Sequence, residues 1–198
     1  MSTMQVAVIV LVVLVLAAVA AAGWYLLRRR ALRERFGPEY ERVVAEQDGV
    51  RAAERELRAR ERKHAELDLT PLSPDARAHY AAEWQQVQAR FVEAPEEAVS
   101  AANDLVTRVI AERGYPTDNI DDQMAQLSVE HARTLGHYRD ANEIYQRHER
   151  GEATTEQLRQ ALVHYRALFA DLLGEEPNGA YRLADQDHAE VRRGEDVR

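Results

Sequence analysis

From Val6 to Leu27 the chain runs 22 residues without a charge, and Arg28, Arg29 and Arg30 follow at once, with Arg33 and Arg35 close behind. At about 1.5 Å rise per residue, a helix of that length spans roughly 33 Å, enough to cross a hydrocarbon core of about 30 Å. The run is β-branched and leucine-rich through Leu16. Trp24 and Tyr25 close it where an interfacial aromatic belt would sit. Residues 6–27 are therefore expected to form a transmembrane helix, preceded by a short extracytoplasmic N-terminus over residues 1–5.

A cleaved signal peptide is the rival reading, because Ala18-Val19-Ala20 and Ala20-Ala21-Ala22 fit a small-residue cleavage site. Residues 1–5 hold no Lys or Arg, however, and five arginines stand where an exported mature start should avoid them. Positive charge beside a span marks its cytoplasmic side, so the expected topology is N-terminus outside and soluble domain inside. Trp24, Tyr25, Arg28, Arg29, Arg30, Arg33 and Arg35 are the candidate anchor and topology residues, with the arginines within reach of anionic lipid headgroups.

Charge then reverses. Residues 28–35 carry five arginines against Glu34, a net +4, so the rest of the chain must sum to −12 to reach the overall −8. Phosphate contacts dominate nucleic-acid affinity, and an acidic domain without a basic stripe is a poor ligand for DNA or RNA. Zero cysteine removes disulfides, thiolate metal sites and cysteine nucleophiles together. Only Lys63 among the 26 basic residues is a lysine.

No segment alternates in the manner of a strand, so the fold class is expected to be all-α: the membrane helix, a basic juxtamembrane segment (28–38), a charged stalk helix (39–67), and a compact bundle of about four amphipathic helices (73–174). Gly37-Pro38 should interrupt the membrane helix. Phe36, Val43, Val50, Leu57 and His64 recur every seven residues along the stalk, but the complementary seam would be Glu46, Ala53 and Arg60, which supports one narrow apolar stripe better than a two-stranded coiled coil.

In the bundle, Ser73-Pro74-Asp75 is a helix start with cap, proline and acid in order. It opens a helix carrying Tyr80, Trp84, Val87 and Phe91. A second helix begins at Pro95 and ends at Gly114. Between Pro116 and Ser128 an acidic connector is expected, holding a turn or two around residues 119–126. Ser128 is expected to cap a long third helix with Leu135, Tyr138, Ala141, Ile144 and Tyr145 inward, to Gly151. Thr154 with Gln157 spells a capping box for the last helix, which Gly174 closes. Residues 175–198 are polar, acidic and without period, so disorder is expected there.

Chemistry is sparse. A di-iron bundle needs Glu-x-x-His from two helices, and only Glu61 with His64 fits, on the stalk. Asp118, Asp121 and Asp122 lack the alternating ligands and glycine of a calcium loop and read as acids at a helix N-terminus. His131, His137, His148 and His164 find no serine or cysteine nucleophile to serve and are expected as surface or satisfied core residues. The expectation is no catalytic residue, no cofactor, no metal and no small-molecule site. What remains is a non-enzymatic, membrane-anchored interaction or scaffold protein with a protein partner or itself for company. The alternative is a bundle that senses a ligand or stress and couples it to oligomerisation of the membrane helix.

Leu32-Arg33-Glu34-Arg35-Phe36-Gly37-Pro38-Glu39-Tyr40 after an arginine-flanked span, with Arg90-Phe91, Arg113-Gly114-Tyr115-Pro116 and Val163-His164-Tyr165-Arg166, resembles a family of uncharacterised bacterial single-pass membrane proteins found in actinobacteria and elsewhere. The resemblance covers most of the chain and carries no activity, so it implies no catalytic residue.

Overall fold

The computed structural model describes residues 3–174, and the expected acidic tail lies outside them. Eight α-helices and no strand are present among the described residues. They fall into two units, one up to Arg58 and one from Ala59 onward.

In the first unit, α1 spans Thr3–Phe36. It begins three residues before the expected span and runs on through the arginines without a break. The stretch Leu11–Phe36 is long and apolar enough to cross a membrane, and its apolar window is wholly uncovered. Leu11, Leu14, Leu16, Trp24 and Leu27 are all exposed. α1 stops where the glycine-proline pair predicts: Gly37 takes φ +46, its amide donates to the Arg33 carbonyl at 2.9 Å, and Pro38 opens α2, Pro38–Glu46. Pro38 lacks only an N–H that a first helical turn leaves unbonded anyway.

The single stalk helix expected over 39–67 is instead two. α2 ends at Glu46, Gln47 turns extended, Gly49 takes φ +101, and α3 runs Val50–His64. Gln47 ends α2 in the extended conformation, and Gly49, at a φ that glycine alone takes without cost, accepts the first amide bonds of α3 from Ala52 and Ala53, so Asp48-Gly49 overrides the seven-residue stripe. The stripe is nevertheless buried within one chain: Phe36, Val43 and Leu57 are fully covered, His64 nearly so and Val50 half so. Ala53 is covered as well, while Glu46 is exposed.

The second unit is a bundle of five helices where about four were expected: α4 Pro74–Arg90, α5 Pro95–Glu112, α6 Ile120–Glu130, α7 Leu135–Glu149 and α8 Thr155–Leu173. The extra helix is the acidic connector. Asn119 accepts from the amides of Asp121 and Asp122 through Oδ1, at 2.8 and 3.0 Å, and satisfies two donors that a bare helix start would strand. Asp121 and Asp122 then sit in the first turn, where the helix dipole favours them. Ser128 is no cap. It lies inside α6 with its hydroxyl donating back to the Ala125 carbonyl at 2.6 Å, and α7 starts at Leu135, seven residues after it.

α8 packs against α7 and α5, and α4 against α5. Trp84 stacks on Phe169 with centroids 4.7 Å apart, and Tyr138 meets Tyr165 edge-on at 6.2 Å. Around them close Leu105, Val106, Ile110, Leu127, Leu135 and Leu168, all fully buried. Each such side chain contributes about 1.5–3 kcal/mol by leaving water. The two buried phenols keep polar partners, Tyr138 donating to Gln123 Oε1 and Tyr165 to Asn103 Oδ1, both at 2.9 Å. Burial pushes the Tyr138 hydroxyl up to about 12.

The ends are locked as the local patterns predict. Ser73 caps α4, the Thr154–Gln157 capping box opens α8, and Gly174 in the left-handed conformation closes it. Gly114 is required twice over. Its φ is +92, and a Cβ there would stand 2.6 Å from the Asp68 carbonyl oxygen, beside the Thr70 amide that bonds to the Arg113 carbonyl.

Candidate functional site

Three polar centres stand out from the apolar framework, one in the first unit and two in the second.

The first gathers the arginine flank. Trp24 is 62 % and Tyr25 40 % exposed on α1, and the Arg28 guanidinium lies over the Trp24 ring at 4.9 Å. Arg30 donates to Glu34 at 2.8 Å, one turn on along the helix. Arg33 reaches Glu41 at 3.3 Å and stacks over the Tyr40 ring at 5.1 Å. Arg35 is exposed. Arg29 differs from the rest: it donates to the Tyr40 hydroxyl at 3.4 Å and lies 3.5 Å from the Glu54 carboxylate. Glu54 is buried, with Tyr40 donating to one oxygen and Arg58 to the other. A buried carboxylate without such donors would be strongly disfavoured. Arg29, Tyr40 and Glu54 are thus one group, which no short spacing announces: 11 and 14 residues separate its members.

The second centre lies between α6, α7 and α8. Asp171 Oδ2 accepts from Thr134 Oγ1 at 2.6 Å and sits 3.0 Å from His131 Nδ1. Burial works against the charged carboxylate, yet the hydrogen bonds from His131 and Thr134 outweigh it and hold Asp171 below the usual carboxylate range. Tyr115 donates to Glu130 at 3.1 Å and stands between the rings of His64 and His131, each 6.0 Å away. Burial, with the Glu130 charge beside it, raises its phenol well above normal. Arg113 donates to the Leu172 carbonyl at 2.8 Å, placing a cation at the C-terminal end of α8 where the dipole favours it. A His–Asp pair is half of a hydrolytic triad, but His131 is only 6 % exposed and, among the described residues, no hydrogen-bond partner stands at its far nitrogen. The pair fastens α8 to the end of α6, and the Thr134 bond fastens it to the start of α7.

The third centre is the one that sequence spacing hides best. His137 and Asp140 share a face of α7 at three-residue spacing. His164 comes from α8, and its Nδ1 stands 2.9 Å from His137 Nδ1, with ring centroids 5.1 Å apart. Two facing N–H groups or two facing lone pairs at that distance would repel, so one ring donates and the other accepts. One nitrogen of each ring and an Asp140 oxygen lie within 4.8 Å of one another, with His164 buried, His137 half-buried and Asp140 exposed. The four histidines of this region therefore divide. His131 and His164 are buried, while His137 and the half-buried His148, which lies 3.5 Å from Ser100 Oγ, open partly to solvent. The aromatic side chains of the bundle are core: Tyr80, Trp84, Tyr138, Tyr165 and Phe169 are buried in it, and Phe91 and Tyr145 pack against it.

No family model, curated protein or solved structure matches this chain.

Proposed function

We propose that the chain is a single-pass plasma-membrane protein, N-terminus outside, that holds a non-catalytic helical interaction module at the cytoplasmic face. The observation that carries this reading is α1: an apolar stretch with no covered face, followed at once by five arginines. A helix that is apolar all round is at rest only inside a protein core or a bilayer, and the protein leaves this one uncovered. The arginines orient it, each contributing on the order of 1 kcal/mol near anionic lipid. The acidic remainder is repelled from that surface and presents its charged helix faces to soluble partners or to a second copy.

A reporter fused after Arg198 tests the orientation. A fluorescent protein that matures only in the cytoplasm should shine there, and activity of an export-dependent phosphatase at the same position would invert the compartment. Crosslinking with mass spectrometry at native expression tests the interaction, for which a strictly monomeric, partnerless chain is the adverse result.

A second reading is favoured by the His137–His164 pair: a bundle whose ligand occupancy controls association of the membrane helix. Fusion of residues 1–38 to a membrane two-hybrid reporter, compared with the full chain, separates the two readings. Only the second requires the bundle to change the association signal.

A further inference from the structure

We propose that His137, His164 and Asp140 form a binding site for a divalent transition-metal ion of the zinc class, joining α7 to α8. The inference goes beyond the anchoring reading and does not depend on it. Two imidazole nitrogens and one carboxylate oxygen make a borderline donor set: too nitrogen-rich for magnesium or calcium, which favour oxygen throughout, and without the thiolates of copper(I) or structural Cys₄ sites. The chain has no cysteine to compete with it.

The distances admit the ion. Two nitrogens each about 2.05 Å from one metal stand about 2.9 Å apart at a right angle and about 3.3 Å apart at the tetrahedral angle. The observed Nδ1···Nδ1 distance is 2.9 Å. The centroid separation of 5.1 Å means that the rings now face each other nearly along one line, the arrangement of a shared proton. Replacing that proton by an ion requires the nitrogens to part by at most about 0.4 Å and the rings to tilt toward a common point. Asp140, exposed and one turn beyond His137, is able to swing in as the third ligand. Three protein ligands leave a position for water, as in zinc sites that keep an open coordination place.

Binding through both Nδ1 atoms moves the shared proton to Nε2 of its own ring and leaves both imidazoles neutral, and protonation of either ring to imidazolium competes with the ion, so affinity must fall as pH drops through the histidine range. The ion also clamps the α7–α8 hairpin.

The test uses the full chain, without a histidine tag, in detergent micelles. Cobalt(II) reports coordination through its visible absorption, and zinc is titrated against it. One ion per chain is expected, with a rise in the thermal midpoint. His137→Gln and His164→Gln should each weaken binding at least about tenfold, Asp140→Asn less, and His148→Gln not at all. His164 is buried, so its variant is compared by circular dichroism, and the half-buried His137 keeps the test decisive if His164→Gln unfolds. No one-to-one cobalt spectrum from the folded chain, or binding undiminished in folded His137→Gln, overturns the site.

Discussion

α1 and α8 obey the same backbone rules and answer to different solvents. α8 is 19 residues long and divides cleanly: Leu158, Ala161, Leu162, Tyr165, Leu168, Phe169 and Leu172 are buried, while Glu156, Arg159 and Arg166 face water. α1 is 34 residues long, and over its apolar part there is no such division, every described side chain from Leu11 to Leu16 being exposed. In α8 the hydrophobic effect is satisfied by the protein. In α1 it is left for something else to satisfy, and the proposed bilayer would cover that cylinder on all sides.

The contrast predicts that each helix fails in its own assay and not in the other's. The largest effect is expected of Phe169→Ala, which removes the ring stacked on Trp84 and should cost about 3–5 kcal/mol of bundle stability, seen as an early thermal transition by circular dichroism, with membrane sedimentation intact. Leu14→Arg should do the reverse: it penalises insertion by about 2.5–3.5 kcal/mol near the centre of the span, moving chain out of the membrane fraction while the bundle transition stays put. An unchanged membrane fraction in Leu14→Arg would break the comparison.

Asp171→Asn comes next. It gives up charge-assisted hydrogen bonds from His131 and Thr134, worth about 1.5–3 kcal/mol at neutral pH. A carboxylate held below its unfolded value stabilises above that value, about 3.9 for aspartate, and loses the contribution as pH falls through the lower folded one. Urea denaturation from pH 7 to pH 2 should therefore show wild type and variant converging at the acid end. A constant gap across the range would remove the carboxylate's charge from the account. The smallest effect is expected of Thr154→Ala, about 1 kcal/mol, from opening the capping box of α8. Its signature in hydrogen exchange is faster amide exchange confined to the first turn of α8.

Legibility follows the range of each interaction. Ser73, Thr154 with Gln157, and Gly174 were readable because a cap is settled within three or four residues of chain. The inward faces of α4, α5 and α8 were readable because periodicity is local too. The two missed breaks show where that logic fails. At Asp48-Gly49 a turn pair sits in register with a seven-residue stripe, and the stripe hid the turn. At the start of α7 the signal is absent from the sequence: Thr134 holds the capping position but makes no cap, its hydroxyl being committed to Asp171, 37 residues away on α8. His137 and His164 are 27 residues apart, and Arg29 and Glu54 meet only because Gly37-Pro38 and Asp48-Gly49 turn the chain. Spacing rules carry no trace of such pairs, since the fold makes them.

Glu54 also changes how the arginine flank must be counted. A tally of letters assigns the segment four net positive charges, but Glu54, Glu34 and Glu41 already hold Arg29, Arg30 and Arg33. In the proposed anchor, lipid phosphates approaching this collar would meet guanidinium groups that have prior engagements, and each headgroup would have to outbid a carboxylate. The Arg30 and Arg33 pairs are exposed and give way readily, whereas the one at Glu54 is buried on its acidic side. In the proposed anchor the collar is thus graded, with charges that a membrane would recruit and one that the protein keeps, so that its grip would be set by folding as much as by composition.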